Sequence, residues 1–135
     1  MAFGYSYLLD MYGVNVGACD DLEKNYRFLE ELVHKIGMTP MTLPFIIHGP
    51  RDKHGVELFP DKAGISGFVP LIESGIAIHT LEPSRFITLD VYSCNCFDKN
   101  IVLNYAKEIY GFDAYEEHYI TRGCNFGIQP AWAPV

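Results

Sequence analysis

The chain has 135 residues, of which 49% are hydrophobic and 20% charged, and carries a formal charge of −7. That size and balance fit one globular domain with one core and exclude a disordered or fibrous chain. The acidic balance and the lack of any Lys/Arg cluster exclude a nucleic-acid-binding surface, whereas an acidic surface suits a small cationic substrate. No run of about 18 apolar residues occurs, and no basic segment followed by an apolar stretch opens the chain, so the sequence predicts a cytoplasmic protein without a membrane span. Cys19, Cys94, Cys96 and Cys124 show neither a disulfide framework nor paired Cys-x-x-Cys knuckles, and are read as free thiols.

Residues Gly4 to Tyr12 form an apolar stretch that ends at Gly13 and reads as a first strand. After a loop to Cys19, Asp20 and Asp21 can cap a helix in which Leu22, Tyr26, Leu29, Val33 and Ile36 recur at three- and four-residue spacing, with Gly37 as its stop. Thr39 to Ile47 reads as extended, and Pro40 and Pro44 assign it to a sheet edge. His48 to Lys62 is a long surface loop of Gly-Pro, Lys-His-Gly and Phe-Pro-Asp-Lys clusters. Ser66 to Ile72, Ile76 to Leu81 and Phe86 to Ser93 are three runs separated by short turns, which predicts consecutive antiparallel strands. In the third, Ile87, Leu89 and Val91 share one face, and Phe86, Thr88, Asp90 and Tyr92 the other. Asp98 can cap a second helix with Ile101, Val102, Tyr105 and Ile109 inward and Gly111 at its end, and a last strand at Ala114 to Thr121 precedes an irregular tail. The order β-α-β-β-β-β-α-β predicts an α+β two-layer sandwich: a mainly antiparallel sheet with two helices on one face. A second face that also carries aromatic residues needs a cover, and a face-to-face dimer, αββα in section, supplies it.

The chemistry concentrates between Gly64 and Cys94. Ser74 follows a tight turn, where its hydroxyl can attack the carbonyl of Glu73 if the backbone is strained, turning an amide into an ester. His79 lies at odd separation from Ser74, and a turn at Gly75 can reset the strand register so that both face one site. Cys94-x-Cys96 lacks a second ligand pair at a usual distance, and His48 and His54 sit in a separate loop, so no metal is expected.

The string Gly64-Ile65-Ser66-Gly67, the pair Glu73-Ser74, His79 five residues on and Cys94 twenty residues on together resemble the prokaryotic S-adenosylmethionine decarboxylases. The resemblance implies self-cleavage between Glu73 and Ser74 into a β chain, 1–73, and an α chain, 74–135, with Ser74 converted to a pyruvoyl group. It also implies that Ser66 positions the ester, that His79 gives acid-base help and that Cys94 returns a proton to the α-carbon of the substrate after carbon dioxide leaves. Glu82 and Phe59 stand as substrate-binding residues, for the ribose and adenine of S-adenosylmethionine, whose decarboxylated product feeds spermidine synthesis. The chain departs from the family pattern at Leu81-Glu82-Pro83, where Glu and Pro are exchanged, at Gly75, where a His is usual, and at Gly4-Tyr5-Ser6 in place of Gly-x-His. These departures keep a second expectation open, a pyruvoyl-dependent decarboxylase of arginine or ornithine, and a third, an unprocessed paralogue that only binds.

Overall fold

The structure, a computed structural model, describes residues 2–128; Met1 and the end of the expected tail and α chain, 129–135, lie outside the described residues. Six strands, β1 (Gly4–Tyr12), β2 (Phe45–His48), β3 (Ile65–Leu71), β4 (Ser74–Leu81), β5 (Phe86–Ser93) and β6 (Ala114–Arg122), form one sheet in the order β2-β3-β4-β5-β1-β6. Every neighbouring pair is antiparallel. Two helices, α1 (Leu22–Lys35) and α2 (Lys99–Tyr110), complete the predicted α+β sandwich.

Strand alternation decides what is buried. Ile87, Leu89 and Val91 of β5 are fully buried, as are Tyr7, Leu9 and Met11 of β1, and with Ile76, Ile78 and Val69 they make the helix-facing floor of the core. Phe28, Leu29 and Leu32 of α1 and Val102, Ala106 and Tyr110 of α2 fill it from above. The Phe28 ring stacks on Tyr105 at 5.3 Å and meets the edge of Tyr110 at 4.9 Å. Burying one Phe or Leu side chain contributes about 1.5–3 kcal/mol, so this cluster is the main stabilising term. One buried polar group links the two helices: Asn25 donates through Nδ2 to the carbonyls of Ala18 and Asp21, both at 2.8 Å, and its Oδ1 accepts from the Tyr110 hydroxyl at 2.6 Å. A buried amide so fully paired carries no desolvation penalty that would loosen the helix contact.

Both helices start where predicted. The Asp21 carboxylate accepts from the Lys24 amide at 2.9 Å, and that of Asp98 from the Asn100 amide at 2.9 Å. Gly111 ends α2 at φ +58°, and a Cβ there would come within 2.6 Å of the Asn15 side chain, so both conformation and space require glycine. The inward faces differ in part from the expectation. Leu22 and Ile101 are exposed, whereas Phe28, Leu32, Ala106 and Tyr110 point inward. The extended segment also shortens to Phe45–His48 at the sheet edge; Pro40 adds only an isolated bridge to Leu71.

The opposite face of the sheet carries no helix. Phe45 (64% exposed) and Ile47 of β2, Phe68 of β3, Tyr12 of β1 and Ile120 of β6 lie on it, interspersed with Ser66, His79, Asp10 and Asp90.

Candidate active site

The β3–β4 connection is a hairpin of two residues, Ile72 and Glu73, and a neighbouring segment clamps it. The Ile72 amide donates to the Thr39 carbonyl at 2.9 Å, the Thr39 amide donates to the Glu73 carboxylate at 2.8 Å, and the Met41 amide donates to the Pro70 carbonyl at 2.9 Å. The Thr39 amide holds the Glu73 carboxyl below its ordinary value, against a smaller opposing effect of burial. The next residue, Ser74, has φ +149°, a region that L side chains avoid and glycine tolerates. The clamp on Glu73 and the ladder from Ser74 onward, which pairs it with Leu71 and Ser93, fix this residue from both sides.

The carbonyl oxygen of Glu73 accepts a hydrogen bond from the Cys94 amide at 2.8 Å. This is where negative charge grows if the Ser74 hydroxyl attacks the Glu73 carbonyl carbon, so the Cys94 N–H is placed as an oxyanion donor. β1 closes the corner: a Cβ at Gly4 would lie 2.6 Å from the Ser93 carbonyl and 3.0 Å from the Cys94 Cα, so only glycine permits this approach. Ser93 is fully buried; its hydroxyl meets the Met38 sulfur at 3.2 Å and accepts from the Asn95 amide at 3.0 Å, which fixes the start of the segment bearing Cys94. Cys94 itself is half-buried. By contrast, burial pushes the Cys19 thiol up to about 11, which keeps it protonated and unreactive.

Ser66 and His79 form a second cluster. They face each other across β3 and β4, and Ser66 Oγ lies 2.9 Å from His79 Nδ1. Both are exposed and border a cavity of about 450 Å³ that also includes Phe59, His48 and Lys62. The ladder runs from Ser74 to Leu81 without a bulge, so Gly75 does not reset the register. His79 therefore stands five residues from Ser74 along one strand, about 16 Å at about 3.3 Å per residue. The chain brings Ser66, His79 and Phe59 together at one end of the open face, and Glu73, Ser74 and Cys94 together at the far end of β4, where the unbroken ladder sets Ser74 beside the helix-facing Leu71 and Ser93. Glu82 belongs to neither group: it opens a short 3-10 turn beyond β4, tied by its amide to the Ala63 carbonyl at 2.7 Å.

Ser74 opens onto its own hollow of about 380 Å³, lined by Phe68, Gly75, Ala77, Asp90 and Tyr92. A larger groove of about 560 Å³ lies between α1 and α2 and contains none of these groups. Thr39, Asp90, Phe68 and the Cys94 backbone are not among the site residues expected from the sequence. Only Asp90 carried a signal, as a charge on an alternating strand. His48, assigned to a separate loop, borders the Ser66–His79 cavity. With Asp20 and Glu57 it forms the one three-residue group of metal-ligand type found among the described residues. Arg51 already enters that group, 2.7 Å from His48 Nε2, 2.8 Å from Glu57 and 3.3 Å from Asp20. A fixed guanidinium at the centre makes it a charge network that holds the loop.

The family described as S-adenosylmethionine decarboxylase matches residues 5–123. The chain is 28% identical over 121 residues to an S-adenosylmethionine decarboxylase proenzyme of Clostridium botulinum (strain Loch Maree / Type A3), covering 89% of this chain and 94% of that protein. A proenzyme of the same name from Geobacillus kaustophilus (strain HTA426) is 35% identical over 60 residues, 44% of this chain and 48% of the relative. Among solved structures, the adenosylmethionine decarboxylase from Aquifex aeolicus VF5 superposes with a TM-score of 0.73 at 24% identity, covering 90% of this chain and 92% of the other, a likeness of fold. With the match spanning all but the ends of the chain, this protein belongs to the S-adenosylmethionine decarboxylase family.

Proposed function

We propose that the chain is a single-domain proenzyme that cuts itself between Glu73 and Ser74 and then decarboxylates S-adenosylmethionine through a pyruvoyl group derived from Ser74. The observation that carries this reading is the pairing of a strained Ser74 with a Glu73 carbonyl already hydrogen-bonded to the Cys94 amide. The Ser74 hydroxyl attacks that carbonyl carbon and the C–N bond breaks, leaving an ester on Oγ and a free amine on residue 74. Loss of the Cα proton expels the Glu73 carboxylate and leaves a double bond at residue 74; water then replaces the nitrogen, which leaves as ammonia. The products are chains 1–73 and 74–135, and the named proenzyme relatives fit such a maturation.

The residues present fit this cofactor, since it arises in place at the first residue of β4 and Ser93 and Cys94 hold that strand end. When formed, the group supplies a conjugated carbonyl that takes up the electron pair freed as the α-carboxylate leaves. Cys94 Sγ holds the proton that replaces the carboxylate at the α-carbon. The Ser66–His79 pair supplies the acid-base group for cleavage, but about 16 Å is too far for direct transfer within one copy. The open face supports a shared site: when two copies pack sheet to sheet, in the αββα arrangement, the Ser66–His79 pair of one protomer serves Ser74 of its partner. Its exposed Phe45, Ile47 and Phe68 make such a face costly to leave in water.

The position of Glu82 outside both hollows favours a second reading, in which the nucleoside contacts are lost and arginine or ornithine is the substrate. Intact mass under denaturing conditions, followed by carbon dioxide release from each of the three amino acids, tests both. Two fragments that meet at 73/74, with carbon dioxide from S-adenosylmethionine, are expected. Release from arginine or ornithine alone transfers the function to the second reading, and a single uncut, inactive chain leaves only a binding role.

A further inference from the structure

Asp90 projects from β5 on the open face and is the one acidic side chain of the Ser74 hollow; the rest of the lining is the Phe68 and Tyr92 rings, Gly75, Ala77 and Ser74 itself. Among the described residues no cation lies within ion-pairing distance of it. Asp90 is itself exposed, so solvent carries its charge and leaves the carboxylate open to a positive group entering the hollow. No lysine or arginine comes to it from the neighbouring strands: its partners are Ala77 on β4 and Leu8 on β1, and the titratable diagonal neighbours are His79 and Asp10. Partial burial, and then the charge of Asp10, hold the Asp90 carboxyl above its ordinary value.

The aromatic walls favour the same kind of ligand. The Arg122 guanidinium already stacks on one side of the Tyr92 ring, 4.1 Å from its centre, without reaching ion-pairing distance of Asp90. Glycine at 75 shapes the opposite wall: a Cβ there would meet Phe68 Cε2 at 2.9 Å and push the ring from its place beside Ser74.

We infer that Asp90 is the counter-ion for the positive charge of the substrate and, between the Phe68 and Tyr92 rings, selects an amino acid that carries a cationic group beyond its α-carbon. The inference rests on the proposed reading that Ser74 is the reacting centre. A carboxylate in this hollow repels the α-carboxylate and attracts the sulfonium, guanidinium or ammonium at the other end, so it sets the direction in which the substrate lies. Asp90 thereby acts as a specificity-determining residue, apart from the proton transfers assigned to Cys94 and His79.

The test compares two adenosine compounds that lack the amino acid, 5′-methylthioadenosine and its S-methyl sulfonium, which differ by one methyl group and one charge. Their binding to the purified, self-cleaved protein is measured by calorimetry. The unaltered protein is expected to bind the sulfonium about tenfold tighter than the thioether. In Asp90→Asn the preference falls to less than about threefold, and Asp90→Glu restores part of it. A tenfold preference that survives Asp90→Asn, or none in the unaltered protein, overturns the inference. So does an Asp90→Asn protein that becomes monomeric in sedimentation with its preference intact, since the carboxylate then serves the contact between copies. Failure of the substrate reading is seen separately, as carbon dioxide from arginine or ornithine and none from S-adenosylmethionine; agmatine and its uncharged urea analogue then replace the adenosine pair.

Discussion

At position 74 the backbone adopts a conformation that costs a serine of order 1–3 kcal/mol and a glycine much less. Ser74→Ala and Ser74→Gly both remove the nucleophile and are expected to remain uncut, but only Gly relieves the strain. After allowing for the greater unfolded-state freedom of glycine, Ser74→Gly should be the more stable of the two by about 1 kcal/mol. Urea midpoints decide it, and equal stability would mean that position 74 is not strained. Glu73 gives a pH counterpart. Its folded-state value is depressed by the Thr39 amide, so its contribution is present above the unfolded value and fades as pH falls through the lower, folded one. Glu73→Gln should therefore destabilise the uncut Ser74→Ala chain at pH 7 and match it only once the pH has fallen below the depressed folded-state value, read from thermal midpoints across an acid titration. A difference that persists in acid excludes the carboxylate as the clamp. The Ser74–Glu73 pair was legible in the sequence because hydroxyl and turn are adjacent. The Cys94 amide that meets the carbonyl was not, since backbone donors leave no trace in residue identity.

Elements were legible where a period of two or a cap defines them. In β5 each residue reads in or out by alternation, and all three of Ile87, Leu89 and Val91 are fully buried. On α2 the apolar residues admit two neighbouring stripes, one through Ile101 and one through Val102, Ala106 and Tyr110. The chain takes the second because the Tyr110 hydroxyl reaches the buried Asn25, a partner 85 positions away that a local pattern cannot reveal. Val102→Ala is therefore expected to cost about 2 kcal/mol, Asp98→Ala about 1 kcal/mol through its cap, and Ile101→Ala less than about 0.5 kcal/mol. Denaturant midpoints of the three variants rank them, and an Ile101→Ala cost equal to that of Val102→Ala would restore the first stripe.

At the scale of the whole molecule, the sequence spacing put Ser66, Ser74, His79 and Cys94 in one short stretch and invited a single site. The uninterrupted ladder between β3 and β4 separates them instead, because side chains five residues apart on an extended strand stand about 16 Å apart whatever their proximity in sequence. If each protomer supplies half of its partner's cleavage site, a defect on one side can be rescued by the opposite defect on the other. His79→Ala alone retains Ser74 but lacks the acid-base group on both sides of its dimer, so cleavage should slow by about a hundredfold or more. Ser74→Ala alone retains Ser66 and His79 but has nothing to cut. In a mixed dimer the His79→Ala chain presents its Ser74 to the intact Ser66–His79 pair of the Ser74→Ala chain, and it alone should be cut. Co-expression of the two, with a tag on one to distinguish their masses, reads the outcome directly. Fragments from the His79→Ala chain, appearing only in the mixture, require a site shared between copies. If that chain is cut no faster in the mixture than alone, each protomer must process itself, and the open face would have to be covered in some way that leaves the Ser66–His79 pair out of the reaction.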